Sequence, residues 1–410
     1  MSPLRDAAAV LTLVVLSNGP LFYIERNGFG LPGSWEGPVI RPMIIGTALL
    51  SVLLVVLDLR RRSGRRLLRP NRWVMTAGIG FGMWATLSVL WSVNPGLTLW
   101  RGAVYMALPF AAWILADLCH ERFVRVAAIA FGSMVGASSA LVVLGSDSGL
   151  DRGDNWKGVF TNRNSLAPVC AIAILLGLAC VLNRRWRIGG LLVGVSLISL
   201  FGTGSRTAWI ALLIALGGST LLVVGRRLAA DRPGPMVPVA AGITGIVGGL
   251  VVVLGVASKW NERTFVQRRT IWDLVGDHIA VHPVRGSGFF AFWSVPELIA
   301  EHELLKRGSA HGSVPEVLLG LGVIGLALWG VVVVAAVTGT LRWAWRSPSA
   351  TSWFWLALTI FLLIENATES FVLWFSYNWV LLISVGIRAW HVCLSERVDK
   401  TARPSERVIS

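Results

Sequence analysis

Residues 41–72 read RPMIIGTALLSVLLVVLDLRRRSGRRLLRPNR, an apolar run that leads directly into a connection with seven arginines at 59–72. An apolar run of about 20 residues has the length that an α-helix needs to cross the hydrocarbon core of a bilayer. Connections on the cytoplasmic side of a membrane are enriched in Lys and Arg. This stretch therefore predicts a membrane-spanning helix whose C-terminal end faces the cytoplasm.

Similar apolar runs recur along the 410-residue chain, in which 54% of the residues are hydrophobic and only 14% are charged. Soluble domains have about 25% charged residues, so this composition argues against a water-soluble fold. Each run should be helical, because lipid offers no partner for backbone hydrogen bonds. We expect an all-α polytopic membrane protein with about twelve transmembrane helices. The runs lie near 7–24, 41–58, 73–91, 102–118, 123–145, 165–182, 188–203, 207–225, 236–257, 312–340, 350–364 and 371–394.

The basic connections define the orientation of these spans. Further arginines on the same side as the 59–72 connection lie at 184–187, 226–227 and 342–346. We therefore expect both termini in the cytoplasm and a single integral membrane domain over 1–410. The polar tail at 395–410 is expected to be cytoplasmic and disordered. The longest outer connection, 258–311, is expected to form a large extracytoplasmic loop that carries short helices.

The formal net charge of +15 would suggest a nucleic-acid partner in a soluble protein. Here most of the basic residues are arginines in the cytoplasmic connections, so membrane topology explains the charge and no nucleic acid is expected. The cysteines Cys119, Cys170, Cys180 and Cys393 lie in or beside apolar runs without CxxC spacing. Neither a disulfide framework nor a zinc site is indicated.

Ionisable residues are scarce near the centres of the spans, where ion-coupled transporters place theirs. Asp58 and Asp117 lie at cytoplasmic ends, where snorkelling or solvation is expected to satisfy them. Glu365 and Glu369 lie in the last outer turn of a span. We therefore expect polar function at the outer face.

Two short motifs lie at outer helix starts. The sequence GVFTNRNSLA at 158–167 leads into a span, and Asn164 or Ser165 could cap that helix, whose N-terminal amides favour an anion. The sequence GTGSRTAW at 202–209 places Arg206 in an outer turn, where an arginine close to lipid needs a partner. The simpler interpretation of the first motif is an ordinary helix start. The simpler interpretation of the second is an arginine that snorkels to the membrane interface.

Two more motifs belong to the long outer connection. RRTIW at 268–272 is followed by HPVRGSGF at 282–289, and paired arginines can bind phosphate through their forked N–H groups. AHGSVPEV at 310–317 places His311 at a helix start, where a histidine can act as a general base near neutral pH. A solvated loop helix and a structural histidine are the alternatives.

Other chemistries lack their usual motifs. His278 and His282 have i,i+4 spacing, but Pro283 limits the helix and there is no HExxH sequence. The chain contains neither a Walker loop nor a GxGxxG sequence after a strand. We therefore expect no metal and no cofactor.

The four motifs, in this order and on this side of the membrane, resemble the O-antigen ligase-like superfamily. This superfamily includes lipopolysaccharide O-antigen ligases, O-antigen polymerases and related oligosaccharyltransferases. The residues that carry the resemblance are GVFTNRNSLA at 158–167, SRTAW at 205–209, RRTIW at 268–272, HPVRGSGFFAF at 282–292 and HGSVPEVLLGLGVIGL at 311–326.

The resemblance implies a GT-C-like helical membrane glycosyltransferase of the bacterial cytoplasmic (inner) membrane. Such an enzyme transfers a glycan from a polyprenyl-pyrophosphate carrier to an acceptor hydroxyl at the outer face, without a metal and with inversion. Its partners would be the carrier-linked donor, a glycan, lipid or protein acceptor, and the lipid bilayer.

The resemblance also assigns roles to residues. Arg206 and Arg268 would bind the pyrophosphate, and His311 would orient or deprotonate the acceptor hydroxyl. The spacing to Trp272 favours Arg268 as the main loop arginine, with Arg269 as the alternative. The other substrate-binding residues implied are Arg269, Asn162, Arg163, Asn164, Arg285 and Trp272.

Three alternatives to ligase-type transfer remain open from the sequence. One is a non-catalytic envelope scaffold, in which Arg206, Arg268 and His311 could be replaced without loss. A polysaccharide polymerase would use a second carrier-linked repeat as its acceptor. A transporter or flippase for a lipid-linked sugar would need cationic residues inside a cavity, whereas the arginines here lie at the outer rim.

Overall fold

The computed structural model of the chain describes residues 2–28, 37–60, 70–151, 153–231, 262–295, 308–370 and 377–402. Across these residues the elements are helices joined by turns, with one isolated β-bridge between Leu150 and Trp156. The prediction of an all-α polytopic membrane protein is confirmed.

The helices follow the apolar runs closely. Their bounds are α1 Ser2–Ser17, α2 Gly19–Tyr23, α3 Ile40–Arg60, α4 Arg72–Leu87, α5 Pro95–Asp117, α6 His120–Val143, α7 Arg163–Leu182, α8 Trp186–Thr203, α9 Arg206–Asp231, α10 Glu262–Val281, α11 Ser313–Arg346, α12 Ala350–Thr368 and α13 Tyr377–Ala402. A π-helix, Ile24–Gly28, continues α2, and short 3-10 helices lie at Ser88–Leu90, Asp147–Gly149 and Phe292–Ser294.

Ten helices of the described chain are long and apolar enough to cross a membrane. The bent pair Pro3–Ser17 and Gly19–Asn27, with an angle of 60° between its halves, raises the number to eleven if it forms one span. The bend falls at Asn18, which has a left-handed φ of 64° and is followed by Gly19-Pro20. Each of the eleven corresponds to a predicted run, and the twelfth run, 236–257, lies outside the described residues.

An ion-pair cluster joins the ends of the first helices. Arg5 pairs with Asp58 at the end of α3, and its guanidinium lies 3.2 Å from the carboxylate of Asp117 at the end of α5. Arg122 near the start of α6 donates to Asp6 at 2.6 Å. The sequence-based expectation that solvent or snorkelling satisfies Asp58 and Asp117 was wrong, because the Arg5 side chain forms ion pairs with both carboxylates.

The long helix α11 is broken where the 282–289 segment packs against it. Gly322 has φ 63° and ψ −163° inside the helix, and a Cβ there would overlap the carbonyl of Val284. The N–H of Val323 donates to Pro283 O at 2.9 Å, and the N–H of Ser287 donates to Leu319 O at 2.9 Å. The segment therefore satisfies backbone groups that the break leaves unpaired, as a membrane interior requires.

The C-terminal expectation needs a correction. The tail at 395–410 was predicted to be disordered, but α13 continues as a helix to Ala402. The polar sequence after the last apolar residue extends the helix because helix formation is cooperative and adds one hydrogen bond per residue. Residues 403–410 lie outside the described chain.

Candidate functional site

The candidate site is built around Glu369, which directly follows α12. Its backbone is extended and its N–H donates to Glu365 O at 2.8 Å. The carboxylate is 14% exposed and faces two different elements. One oxygen, Oε1, accepts a hydrogen bond from Arg268 of α10 at 3.1 Å, and the other, Oε2, lies 3.2 Å from His311 Nδ1. A single carboxylate thus joins two of the three predicted catalytic residues.

Asn164 brings a third motif to the same carboxylate. Its side-chain amide lies 3.5 Å from Glu369 Oε1. The helix start was expected to be capped by Asn164 or Ser165, and this was wrong. Asn162 is the N-cap of α7, and its side chain accepts the N–H of Ser165 at 3.0 Å. Because Asn162 caps the helix, Asn164 lies within the first turn and can reach across to Glu369.

His311 occupies a constrained turn. Its φ of 50° lies in the left-handed region, which is uncommon for a non-glycine residue. Its backbone N–H donates to Ser309 Oγ at 3.1 Å, and its Nε2 is buried with no hydrogen-bond partner among the described residues. Since Nδ1 faces an acceptor, the proton of a neutral ring is favoured on Nδ1, which leaves a lone pair on Nε2.

A buried carboxylate, Glu316, fastens this turn to its surroundings. Its Oε1 accepts hydrogen bonds from Ala310 N at 2.7 Å and from Ser370 Oγ at 3.1 Å. Its Oε2 accepts from Trp293 Nε1 at 2.9 Å. Glu316 lies in the first turn of α11, where a negative charge is stabilised by the helix dipole. It therefore fixes Ala310, which precedes His311, and Ser370, which follows Glu369.

The tryptophan of the RRTIW motif also holds the turn. Trp272 Nε1 donates to Ala310 O at 2.8 Å, while 42% of the residue stays exposed. Of the two neighbouring arginines, Arg268 is half-buried against Glu369 and Arg269 is exposed. In α10 it is thus Arg268, four residues before Trp272, whose side chain contacts Glu369.

Arg206 is the first residue of α9 and is exposed. The turn before it passes through Gly204, with a φ of 59°. A Cβ at Gly204 would lie 2.7 Å from the Asn155 side-chain oxygen and 3.9 Å from the guanidinium of Arg163. The turn that carries Arg206 therefore adjoins the start of α7, and with it the motif that supplies Asn164.

Arg285 takes a different position from the other predicted substrate-binding residues. It is exposed, and its guanidinium lies over the Trp91 ring at 5.9 Å from the centroid. Among the described residues, no group of three or more His, Cys, Asp or Glu side chains is placed to hold a metal ion. The His278 ring packs edge-on against Phe292, with 4.8 Å between centroids.

Comparisons with known proteins show what the chain is similar to. Residues 191–330 match the family model described as O-antigen ligase, a range that contains Arg206, Arg268 and His311. The predicted resemblance to the O-antigen ligase-like superfamily is confirmed. A relative, the exopolysaccharide production protein ExoQ of Rhizobium meliloti (strain 1021), is 24% identical over 308 residues, which are 70% of this chain and 69% of the relative. Together with the helices, the matches support a multi-pass membrane enzyme that processes glycans.

Glu369 is the site residue that the sequence analysis did not assign. It lies beyond the matched range 191–330, and the sequence marks it only as an acidic residue just after an apolar run. Its contacts come from α7, α10 and the turn before α11, so no local spacing reveals them.

Proposed function

We propose that the protein transfers a glycan from a polyprenyl-pyrophosphate carrier to an acceptor hydroxyl at the outer face of the bacterial cytoplasmic membrane. The observation that carries this proposal is the contact of one carboxylate, that of Glu369, with both Arg268 and His311. This contact brings together an arginine, which can bind the leaving pyrophosphate, and a histidine, which can accept a proton from the attacking hydroxyl.

Arg268 would bind the pyrophosphate of the donor. A guanidinium has N–H donors on three nitrogens, and Glu369 accepts a hydrogen bond from only one of them, NH2. The carboxylate thus orients the guanidinium and leaves donors that can bind phosphate oxygens. Arg206, at the start of α9, would supply a second positive charge. Fixed charges of this kind stabilise the negative charge that develops on a leaving diphosphate, so the proposed reaction needs no metal ion.

His311 would act as the general base. Its Nε2 takes the proton of the acceptor hydroxyl while the oxygen bonds to the anomeric carbon of the glycan. The bond between that carbon and the pyrophosphate oxygen breaks, and polyprenyl pyrophosphate leaves. Glu369 then stabilises the imidazolium through Nδ1, the role that a carboxylate plays behind a catalytic histidine. A direct displacement of this kind inverts the anomeric configuration.

The cellular setting is part of the proposal. The arginine-rich connection at 59–72 supports cytoplasmic termini and an outward-facing site. We propose a single membrane domain over 1–410, an outer loop at 258–311 and a cytoplasmic end after 395. The acceptor would be a glycan, a lipid or a protein.

The name of the relative, an exopolysaccharide production protein, favours a polymerase as the second candidate function. A polymerase would run the same chemistry with another carrier-linked repeat as the acceptor, and its product would grow by whole repeats. The size of the product therefore distinguishes a polymerase from a ligase, which adds a finished glycan once.

The test uses purified protein in detergent with EDTA, carrier-linked glycans from the host membrane, and candidate acceptors. Wild type is expected to release polyprenyl pyrophosphate and to form a new glycoside. Arg206→Ala, Arg268→Ala and His311→Ala should lose both products together. If no pair of carrier and acceptor reacts, and all three variants still support envelope assembly in cells, the proposed function is wrong.

A further inference from the structure

A cationic groove lies beside the candidate site, between the end of the first span and the loop before α7. It consists of two cavities of about 270 Å³ and about 780 Å³, which share Arg26, Lys157 and Thr161 in their walls. The larger volume falls within the usual range of ligand-binding pockets. Neither the helix packing nor the proposed chemistry at Glu369 uses this groove.

Two of its cations form no ion pair with another described residue. The side chains of Arg26 and Lys157 make no hydrogen bond and no ion pair in the described part of the chain. Burial, followed by the nearby Arg26 guanidinium, lowers the pKa of the Lys157 ammonium, although Asp151 acts in the opposite direction. Two like charges thus face one space, an arrangement that a bound anion would relieve.

The described residues that line the groove include fewer acids than cations, and one of the acids, Asp151, already has partners of its own. Asp151 Oδ1 accepts the N–H of Gly153 at 3.0 Å, and its Oδ2 lies 4.0 Å from Arg163 Nε. The other acid, Asp147, begins the 3-10 helix Asp147–Gly149. Among the described residues that line the groove, the three cations Arg26, Lys157 and Arg163 therefore outnumber the two carboxylates.

The groove has a fixed shape. Gly158 has a φ of 56°, and a Cβ there would overlap Ser138, so the backbone after Lys157 is seated directly on α6. The N–H groups of Lys157 and Gly158 both donate to Gly149 O at 2.9 Å. On the other wall, the Phe160 ring packs against Gly19, where a Cβ would overlap it. The backbone at Lys157 and the Phe160 side of the groove are therefore held in place by packing.

The remaining lining suits a sugar chain. Besides aromatic rings it carries hydroxyl and amide groups that can pair with sugar hydroxyls. These polar residues are Tyr23, Asn27, Ser148, Asn155 and Thr161. Arg163 lines the groove, and the side chain of the next residue, Asn164, lies 3.5 Å from Glu369 Oε1. A chain that lies in the groove would therefore lead toward the candidate reaction centre.

We propose that the groove around Arg26 and Lys157 binds the acidic groups of a saccharide, holding a carboxylate- or phosphate-bearing glycan next to the site at Glu369. This inference rests on the proposed function for its biological meaning, since it names the substrate class of that site. The binding itself requires no catalysis, so the two can be tested separately.

The experiment measures binding of a hexuronate oligosaccharide and of a neutral oligosaccharide of equal length to the full chain in zwitterionic nanodiscs. Wild type should bind the acidic chain at least about tenfold more tightly than the neutral chain. Arg26→Gln/Lys157→Gln should bring the two affinities within about threefold of each other, because two charge-assisted contacts are lost. The conservative variant Lys157→Arg should keep the preference.

The matched control removes two exposed cations from the opposite end of the molecule, in Arg125→Gln/Arg187→Gln. This variant should retain the preference for the acidic chain. Thermal unfolding in the same nanodiscs verifies that each variant is folded. Equal binding of acidic and neutral chains by wild type would overturn the inference. So would an unchanged preference in Arg26→Gln/Lys157→Gln.

Two further measurements complete the test. The first distinguishes a simple anion from an acidic saccharide, and the second distinguishes the groove proposal from the proposed function. If anionic-lipid nanodiscs or inorganic phosphate compete fully with the hexuronate chain, the site is for a simple phosphate and the saccharide inference fails. His311→Ala should bind the acidic chain like wild type. If the groove binds as predicted but wild type releases no polyprenyl pyrophosphate, the proposed function fails and the groove remains an anionic saccharide site.

Discussion

His311 Nδ1 and Glu369 Oε2 lie 3.2 Å apart, although the two residues come from the turn before α11 and the end of α12. The other oxygen of the same carboxylate holds Arg268 at 3.1 Å. Glu369 therefore connects the proposed base to the proposed phosphate-binding arginine. It does so from a half-buried position, where the contact is stronger than a fully solvated ion pair.

Glu369→Gln should lower kcat for glycan transfer by about 10²-fold or more, because the amide cannot stabilise the imidazolium of His311. The assay is the steady-state release of polyprenyl pyrophosphate at saturating carrier-linked glycan. The control makes the same chemical change at an exposed acid of the loop before α7, Asp154→Asn, which should stay within about threefold of wild type. A Glu369→Gln enzyme with wild-type kcat would remove Glu369 from the mechanism.

Arg268→Ala and Arg269→Ala form a pair that tests the register of α10. Loss of a fixed charge that stabilises a leaving group costs about 10²–10³ in rate, so Arg268→Ala should be the slower enzyme by at least about tenfold. Arg269 is exposed, and the contact with Glu369 is made by Arg268. The steady-state rates of both variants show which arginine contacts the phosphate. If Arg269→Ala is the slower enzyme, the contact belongs to Arg269.

Glu316→Ala should destabilise the protein by about 3 kcal/mol, because it leaves the buried N–H groups of Ala310 and Trp293 without an acceptor. The residue is 4% exposed, so water does not replace the lost carboxylate. Thermal unfolding in detergent should show a lower Tm. Glu121→Ala, at an exposed position in the first turn of α6, is the control and should shift the Tm much less. Equal shifts would contradict the structural role of Glu316.

Gly322→Ala should destabilise the protein by about 2 kcal/mol or more, because alanine is strained at a φ of 63° and its Cβ would overlap Val284. Gly330→Ala lies farther along the same helix, where nothing is within 4 Å of the new Cβ. That control should leave the protein as stable as wild type or slightly more stable, since alanine favours helix. The difference in Tm between the two variants is the measurement.

The sequence is sufficient to predict the helical architecture and the positions of most spans. Apolar run length is a direct consequence of bilayer thickness, so the eleven candidate spans of the described chain coincide with predicted runs. The break in α11 at Gly322 was not predicted. It depends on the segment after Pro283 packing against the helix and supplying hydrogen bonds from a distant part of the chain.

The candidate site was predicted in part. The motifs identify Arg268 and His311, and the structure brings both to one carboxylate. The cap of α7 at Asn162 was missed, because Asn162, Asn164 and Ser165 are all good capping residues and only the backbone geometry distinguishes them. The sequence did not give Glu369 a role, because that role depends on the approach of the end of α12 to α7, α10 and the turn before α11.

The most direct test of the account is the stoichiometry of the reaction in EDTA with wild type and with His311→Ala. The account predicts that wild type releases one polyprenyl pyrophosphate for each new glycosidic bond, and that His311→Ala loses both products to the same extent. Movement of the carrier-linked glycan across the membrane with no release of pyrophosphate, equal in both proteins, would contradict the account and indicate a transporter.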